Sequence, residues 1–312
     1  VVARLREFVE RGGLNWYSDP EAPELRRRLA AYTGRSFDEV QVFNGSDAAL
    51  EHVARAYLRP GDHVAICAPC YDQFRVFAQA LGAEVEPVLA GSPFRVDVAN
   101  LAAHFRPRTR IVYVSNPNNP TGRCYRVDQL ARLADALEDG LLVVDEAYFE
   151  FRGRSAAGLL DRHENVIVSR SFSKAFGLAG VRCGYLLARP RALSPIQRIR
   201  NGKDVSALAQ VAGLAALEDL SSMRAWVAEV RRARALLVRG LRARGHHVVP
   251  SPANFVLLRS ERPGALVRAL HRRGVHVRDR SSLPGLGPYV RITVGSRSDV
   301  GRFLEALDRV RA

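Results

Sequence analysis

Lysine is almost missing from this chain: its 312 residues hold two, Lys174 and Lys203, against forty-five arginines. Arginine keeps its proton under all conditions a protein meets, so a free amine nucleophile could come only from these two side chains. Acidic residues are also short, and the formal net charge is +15. That excess invites a nucleic-acid reading, but the arginines are scattered over helix-like segments such as "VRRARALLVRGLRARG" without interleaved aromatics. The charge is therefore read as a solvated helix face, with no nucleic-acid partner. Cysteine is limited to Cys67, Cys70, Cys124 and Cys183. One C-x-x-C pair, without a second pair or a histidine at zinc spacing, is read as free thiols, and no metal is expected. No apolar run approaches membrane length, and no signal peptide precedes "VARLREFVERGG", so a cytoplasmic protein with no membrane partner is expected. The chain begins without Met, directly in an amphipathic helix pattern, so residues upstream are expected to be missing.

Short apolar runs alternate with helical stretches between about residues 38 and 200: "HVAICAP", "RIVYVSNP", "LLVVDEAY", "NVIVSRS" and "RCGYLLA". Runs of that length, rich in β-branched and aliphatic residues, predict an α/β unit with a largely parallel sheet and helices on both faces. After about residue 205 comes a long helical region, then "HVVPSPANFVLLR", a helix from Pro263, "VHVRD", "YVRITVG" and a closing helix. This order predicts a smaller α+β domain at 209–312, completed by 1–19, beside a large domain at 20–208.

Ligands of open α/β sheets bind beyond the carboxyl ends of the strands, so the polar residues that follow the apolar runs carry the chemistry. "RIVYVS" leads to Asn119, "LLVVDEAY" ends in Asp145 with Tyr148 after it, and "NVIVSRSFSK" delivers Lys174. Parallel strands joined by crossovers would bring these ends to one edge. Upstream, "VFNGSDAALEHVARAYL" sets Gly45, Ser46 and Asp47 at a helix start, where free N–H groups favour a phosphate, although Ser46 or Asp47 could equally be an ordinary cap. Ser171, Ser173 and Arg182 add hydroxyls and a guanidinium fork able to reach the same phosphate. A cofactor with a phosphate, a protonatable ring nitrogen, a phenolic oxygen and an aldehyde would use every one of these groups, and pyridoxal phosphate is such a cofactor.

With these motifs in order over nearly the whole length, the chain resembles the fold-type-I pyridoxal-phosphate aminotransferases, and among them the histidinol-phosphate aminotransferase-like group. The match runs through "NWYSDP", "NGSDAALEHV", "APCYDQF", "SNPNNPTG", "VVDEAYFEF", "SRSFSKAFGLAGVRCGY", "PANFVLL", "HVRD" and "VRITVGSRSD". The resemblance implies that Lys174 carries the cofactor covalently and then acts as general acid and base. It implies that Asp145 keeps the ring nitrogen protonated, that Tyr148 and Asn119 bond the ring oxygen, and that Tyr71 stacks on the ring. Gly45, Ser46, Asp47, Ser171, Ser173 and Arg182 match the phosphate cup, and Tyr17 matches a tyrosine that reaches the phosphate of a neighbouring subunit, which implies a homodimer with shared active sites. Arg291 and Arg278 match the positions that hold the substrate's anionic group, with Asn119 beside them.

Two departures touch the substrate end. The family's opening extended segment with "NENP" is absent or not shown before the first helix, and a loop near "PPYNVS" reads "RNGKDVS", with Lys203 and Asp204 where Tyr and Asn are usual. Lys203 is expected to contact a second anion or polar tail of the substrate. Three alternatives compete with this reading. Ser171-x-x-Lys174 fits the S-x-x-K of serine acyl enzymes, but the companion K-T-G is impossible with these two lysines. Threonine-phosphate decarboxylases and specialised-metabolism cyclases or oxidases share the cofactor motifs but break other bonds. A non-catalytic DNA-binding regulator on this fold would need a helix-turn-helix, which the sequence does not show.

Overall fold

The computed structural model describes residues 1–91, 94 and 97–311. Its larger sheet contains β1 (Val40–Phe43), β2 (His63–Ala68), β3 (Glu84–Leu89), β4 (Thr109–Ser115), β5 (Leu141–Asp145), β6 (Val166–Ser171) and β7 (Gly184–Ala188), in the order β1-β7-β6-β5-β4-β2-β3. Strands β2 to β6 are mutually parallel, and β7 runs antiparallel to both β6 and β1. The central strands are buried on both faces, which is why they read as unbroken apolar runs. In β4, Ile111 and Tyr113 enter one core while Val112 and Val114 enter the other, the period-two alternation of a strand.

The chain's helices are α1 (Val2–Glu10), α2 (Pro23–Thr33), α3 (Gly45–Tyr57), α4 (Gln73–Ala80), α5 (Val98–Ala102), α6 (Val127–Asp135), α7 (Phe149–Arg152), α8 (Pro190–Ile199), α9 (Ala207–Glu218), α10 (Leu220–Ala243), α11 (Pro263–His271) and α12 (Arg297–Arg311). One face of the sheet is covered by α3, α4 and α8 through Leu50, Val53, Phe74, Leu193 and Ile196. The other is covered by α2, α6 and α9 through Leu25, Leu29, Leu130, Leu133 and Ala209.

A second, antiparallel sheet is formed by β8 (Val248–Val249), β9 (Phe255–Arg259), β10 (Arg278–Asp279) and β11 (Tyr289–Thr293), in the order β10-β11-β9-β8. Val227, Val230 and Leu237 of α10 and Leu304 and Leu307 of α12 bury Val256, Leu258 and Ile292 on one side of it. Tyr148 and Phe151, which follow β5, pack into this same cluster. The two sheets are therefore held together at the carboxyl edge of the first. The boundary expected at 208/209 falls at the start of α9, whose Ala209 and Ala216 pack in the first core. α1, expected to complete the smaller unit, lies against α9.

Candidate active site

Register brings the polar residues together: Ser115 at the end of β4 pairs with Asp145 at the end of β5, and Asp145 pairs with Ser169 of β6. Because these strands are parallel, the segments that leave them open at one edge. There a cavity of about 240 Å³ is bounded by Asn119 after β4, Asp145 at the end of β5 with Tyr148 beyond it, and Ser171 at the end of β6 with Ser173 and Lys174 beyond it. The start of α3 adds Ser46 and Asp47, and Tyr71 and Arg182 line the same space, while the smaller sheet adds Arg278, Arg280 and Arg291.

At the bottom, Asp145 is buried, with Oδ2 accepting from Tyr113 Oη at 2.8 Å and Oδ1 from the backbone N–H of Ala147 at 3.0 Å. Burial nevertheless lifts its carboxyl to about 6, against an ordinary 3.8, because these two donors offset only part of the desolvation. No basic side chain is paired with it among the described residues. A cationic ring N–H is the partner that such a carboxylate lacks.

At one side, the first turn of α3 follows Asn44, which makes no side-chain cap bond, so its N-terminal N–H groups are left for another acceptor. Neither Ser46 nor Asp47 is the cap: Asp47 instead accepts from Tyr71 Oη at 3.0 Å and from Arg182 Nη2 at 3.3 Å. Gly45 has a φ of +89°, a left-handed conformation that favours glycine, and a Cβ there would also come within 2.7 Å of Arg182 Nη2 and push that flexible side chain aside. Ser171 Oγ accepts from the N–H of Ser173 at 3.0 Å, which fixes that turn. N–H groups, hydroxyls and a guanidinium around one space suit a phosphate. With the carboxylate at the opposite end, the residues present fit pyridoxal phosphate.

Lys174 stands between these ends, its Nζ 5.8 Å from the centre of the Tyr148 ring. Its amine is pushed below the ordinary lysine value, first by burial and then by Arg291, with Asp47 and Asp145 opposing and Arg182 adding to the fall. The Tyr148 hydroxyl is raised by burial, against the pull of Arg291. From the smaller sheet, Arg291 Nη1 donates to Asn119 Oδ1 at 2.6 Å, a bond that spans the cleft. Asp279 Oδ1 accepts from the N–H and the Oγ of Ser281, and among the described residues it forms no ion pair with Arg278.

Three expected residues do not line this cavity: Gly45, which meets it through Arg182, and Lys203 and Tyr17, with Lys203 Nζ 4.3 Å over the ring of Tyr17, which is 82 % exposed. Sequence reasoning missed Tyr113 and Arg280. A tyrosine within a fully apolar strand needs a buried partner for its hydroxyl, and that signal was available for Tyr113. For Arg280 the arginine-rich background hid any signal.

The match to the family of class I and II aminotransferases covers residues 1–307. The chain belongs to that family. It is 34 % identical to a dihydroxyacetone phosphate transaminase of Campylobacter jejuni, over 98 % of this chain and 85 % of that protein. It is 39 % identical to a histidinol-phosphate aminotransferase of Symbiobacterium thermophilum, over 93 % of this chain and 81 % of the relative. The crystal structure of histidinol-phosphate aminotransferase from Sinorhizobium meliloti in complex with pyridoxal-5'-phosphate superposes with a TM-score of 0.90 at 29 % identity, over 99 % of this chain and 86 % of that one. The aminotransferase is thus a pyridoxal-phosphate-dependent transferase with the α/β architecture of fold type I.

Proposed function

We propose that this aminotransferase moves an amino group between an anionic amine, either an amino acid or an amino phosphate ester, and a 2-oxo acid, with Lys174 as its reactive amine. The observation that carries the reading is the sharing of one cavity by a depressed, part-buried amine and a buried carboxylate without a cation, on the ends of adjacent parallel strands. Pyridoxal phosphate, when bound, supplies an aldehyde that condenses with amines and a ring that accepts electrons from the substrate carbon.

Lys174 Nζ would hold the cofactor and would take the proton from the substrate's Cα; its lowered pKa keeps more of it in the basic form. Asp145 keeps a proton on the ring nitrogen, and Tyr113 orients the Asp145 oxygen that does not face Ala147. Tyr148 and Asn119 would bond the ring oxygen, and Tyr71 would cover the ring. The first turn of α3 with Gly45, Ser46 and Asp47, together with Ser171, Ser173 and Arg182, holds the phosphate. Arg291, fixed by Asn119, and Arg278 take the substrate's anionic group. The names of the relatives, one for histidinol phosphate and one for dihydroxyacetone phosphate, favour a phosphate ester among such groups.

The working form in this reading is a homodimer. Tyr17 and Lys203 lie together outside their own cavity, and Tyr17 would complete the partner's phosphate cup while Lys203 reaches toward the partner's substrate. We keep the division into a cofactor-binding unit at 20–208 and a smaller unit at 209–312 completed by 1–19, with α9 as their seam. The four free thiols suit the cytoplasm. No helix among the described residues is long and apolar enough to cross a membrane.

Single-turnover spectra of the loaded enzyme with a panel of amines test the reaction. Formation of pyridoxamine phosphate is the expected result; release of CO₂ with the cofactor returned unchanged would assign a decarboxylase instead.

A further inference from the structure

Arg280 is the part of the cavity that cofactor binding leaves unexplained. Its guanidinium lines the same space as Lys174 and Arg291, and its Nε is buried without a hydrogen-bond partner among the described residues. Burial, reinforced by Arg291 and Arg278, pushes it below the ordinary arginine value, and no carboxylate opposes that fall. Arg291 presents a buried Nε in the same condition. The backbone explains why the three guanidiniums gather. Arg278 pairs directly with Arg291 across β10 and β11, and Arg280, two residues after Arg278, donates its backbone N–H to Tyr289 at 3.3 Å and so continues the ladder on the same face. Nearby acids are occupied elsewhere, Asp279 by Ser281 and Asp47 by Tyr71 and Arg182.

An unpaired cation in a closing site is costly, and one singly charged group on Arg291 would leave Arg280 without a partner. The exposed Arg278 can be answered by water; the half-buried Arg280 cannot be fully. We propose that Arg280 is a specificity-determining residue that binds a second anionic group, so that the preferred amino substrate carries two, one at Arg291 and a distal one at Arg280 with Arg278 beside it. This deepens the aminotransferase reading above and rests on it. The substrate class is an amino acid with an anionic side chain, and a distal carboxylate and a distal phosphate ester are the two sources of that charge.

The test compares cofactor-loaded wild type with Arg280→Gln and Arg280→Lys on four probes: serine, aspartate, O-phosphoserine and O-phosphoethanolamine. In Arg280→Gln the ratio of kcat/KM for the two-anion probes to that for serine should fall about tenfold or more, mainly through KM, as expected for loss of a charge-assisted pair. Arg280→Lys should restore part of the ratio. A larger fall for O-phosphoserine than for aspartate assigns the distal group as phosphate, and the reverse assigns carboxylate. Independently of turnover, the Kd of inorganic phosphate for the loaded protein, read by calorimetry, should rise about fivefold or more in Arg280→Gln. An unchanged ratio, or a loss on serine as large as that on the two-anion probes, would overturn the second subsite; O-phosphoethanolamine, which keeps the distal phosphate without the carboxylate, should share the loss wherever phosphate is the distal group. If no probe yields pyridoxamine phosphate while the phosphate Kd still responds to Arg280, the reaction is wrong and the anion site stands.

Discussion

Asp145→Asn should make the cofactor-free protein more stable while leaving the loaded enzyme nearly inert. The folded value of Asp145, about 6, lies above the ordinary 3.8, with burial as the largest cause. The folded state therefore holds this proton more tightly than the unfolded chain. Its contribution to stability is complete below about pH 4 and is lost as the pH rises through 6. A rise of roughly two units corresponds to about 3 kcal/mol by pH 8. An asparagine carries no charge at any pH and can keep both bonds: its Oδ1 accepts from Ala147, and its amide donates to a Tyr113 hydroxyl that has rotated to accept. Urea unfolding of the stripped proteins should show the variant gaining on wild type from near zero at pH 4 to about 3 kcal/mol at pH 8. With cofactor bound, loss of the charge that holds the ring proton should lower kcat about a hundredfold or more. Identical stability profiles for the two stripped proteins from pH 4 to 8 would refute the reasoning, since the carboxylate would then find as much stabilisation inside the fold as in water.

Gly184→Ala would set a Cβ 2.4 Å from the N of Ser46 and 2.6 Å from the carbonyl carbon of Gly45, so the start of α3 must move. Absorbance titration should find cofactor Kd at least about tenfold higher and stability lower by about 1–3 kcal/mol, with the fold retained by circular dichroism. Arg170→Ala removes a buried guanidinium that donates to Glu146 Oε2 at 3.0 Å and lies 3.8 Å from the centre of the Phe149 ring. Chemical denaturation should record a loss of about 3–5 kcal/mol, much of it recovered when Glu146→Gln is added, because the cost comes from the stranded carboxylate. Mixing Tyr17→Phe chains with Lys174→Ala chains should give heterodimers with one intact site and activity above that of either parent; no complementation would mean that Tyr17 does not cross the dimer.

The strands that carry the site were readable because burial on both faces leaves an unmistakable apolar run, and the polar residue after each run had one plausible edge to occupy. Strand β3, "EVEPVL", gave no such run because it lies at the sheet edge and exposes Glu84 and Leu89. The antiparallel direction of β7 is equally silent in the sequence, since a buried strand has the same composition in either direction. The residues expected to hold the cofactor followed from motif order, and the cavity gathers all of them except Gly45, which meets it through Arg182, and Tyr17. The deeper supports join β4 to β5 through Tyr113 and Asp145, and β6 to the residue that follows β5 through Arg170 and Glu146, so only the register relates them. Arg280 was hidden among so many arginines, and what marks it is its place in the cavity with a buried Nε that has no hydrogen-bond partner among the described residues.

Borohydride reduction of the cofactor-loaded protein, followed by peptide mapping, tests the assignment of the reactive amine most directly, because the chain offers just two lysines. The whole label should lie on the peptide that contains Lys174. A label on Lys203, or none with cofactor bound, would contradict the account.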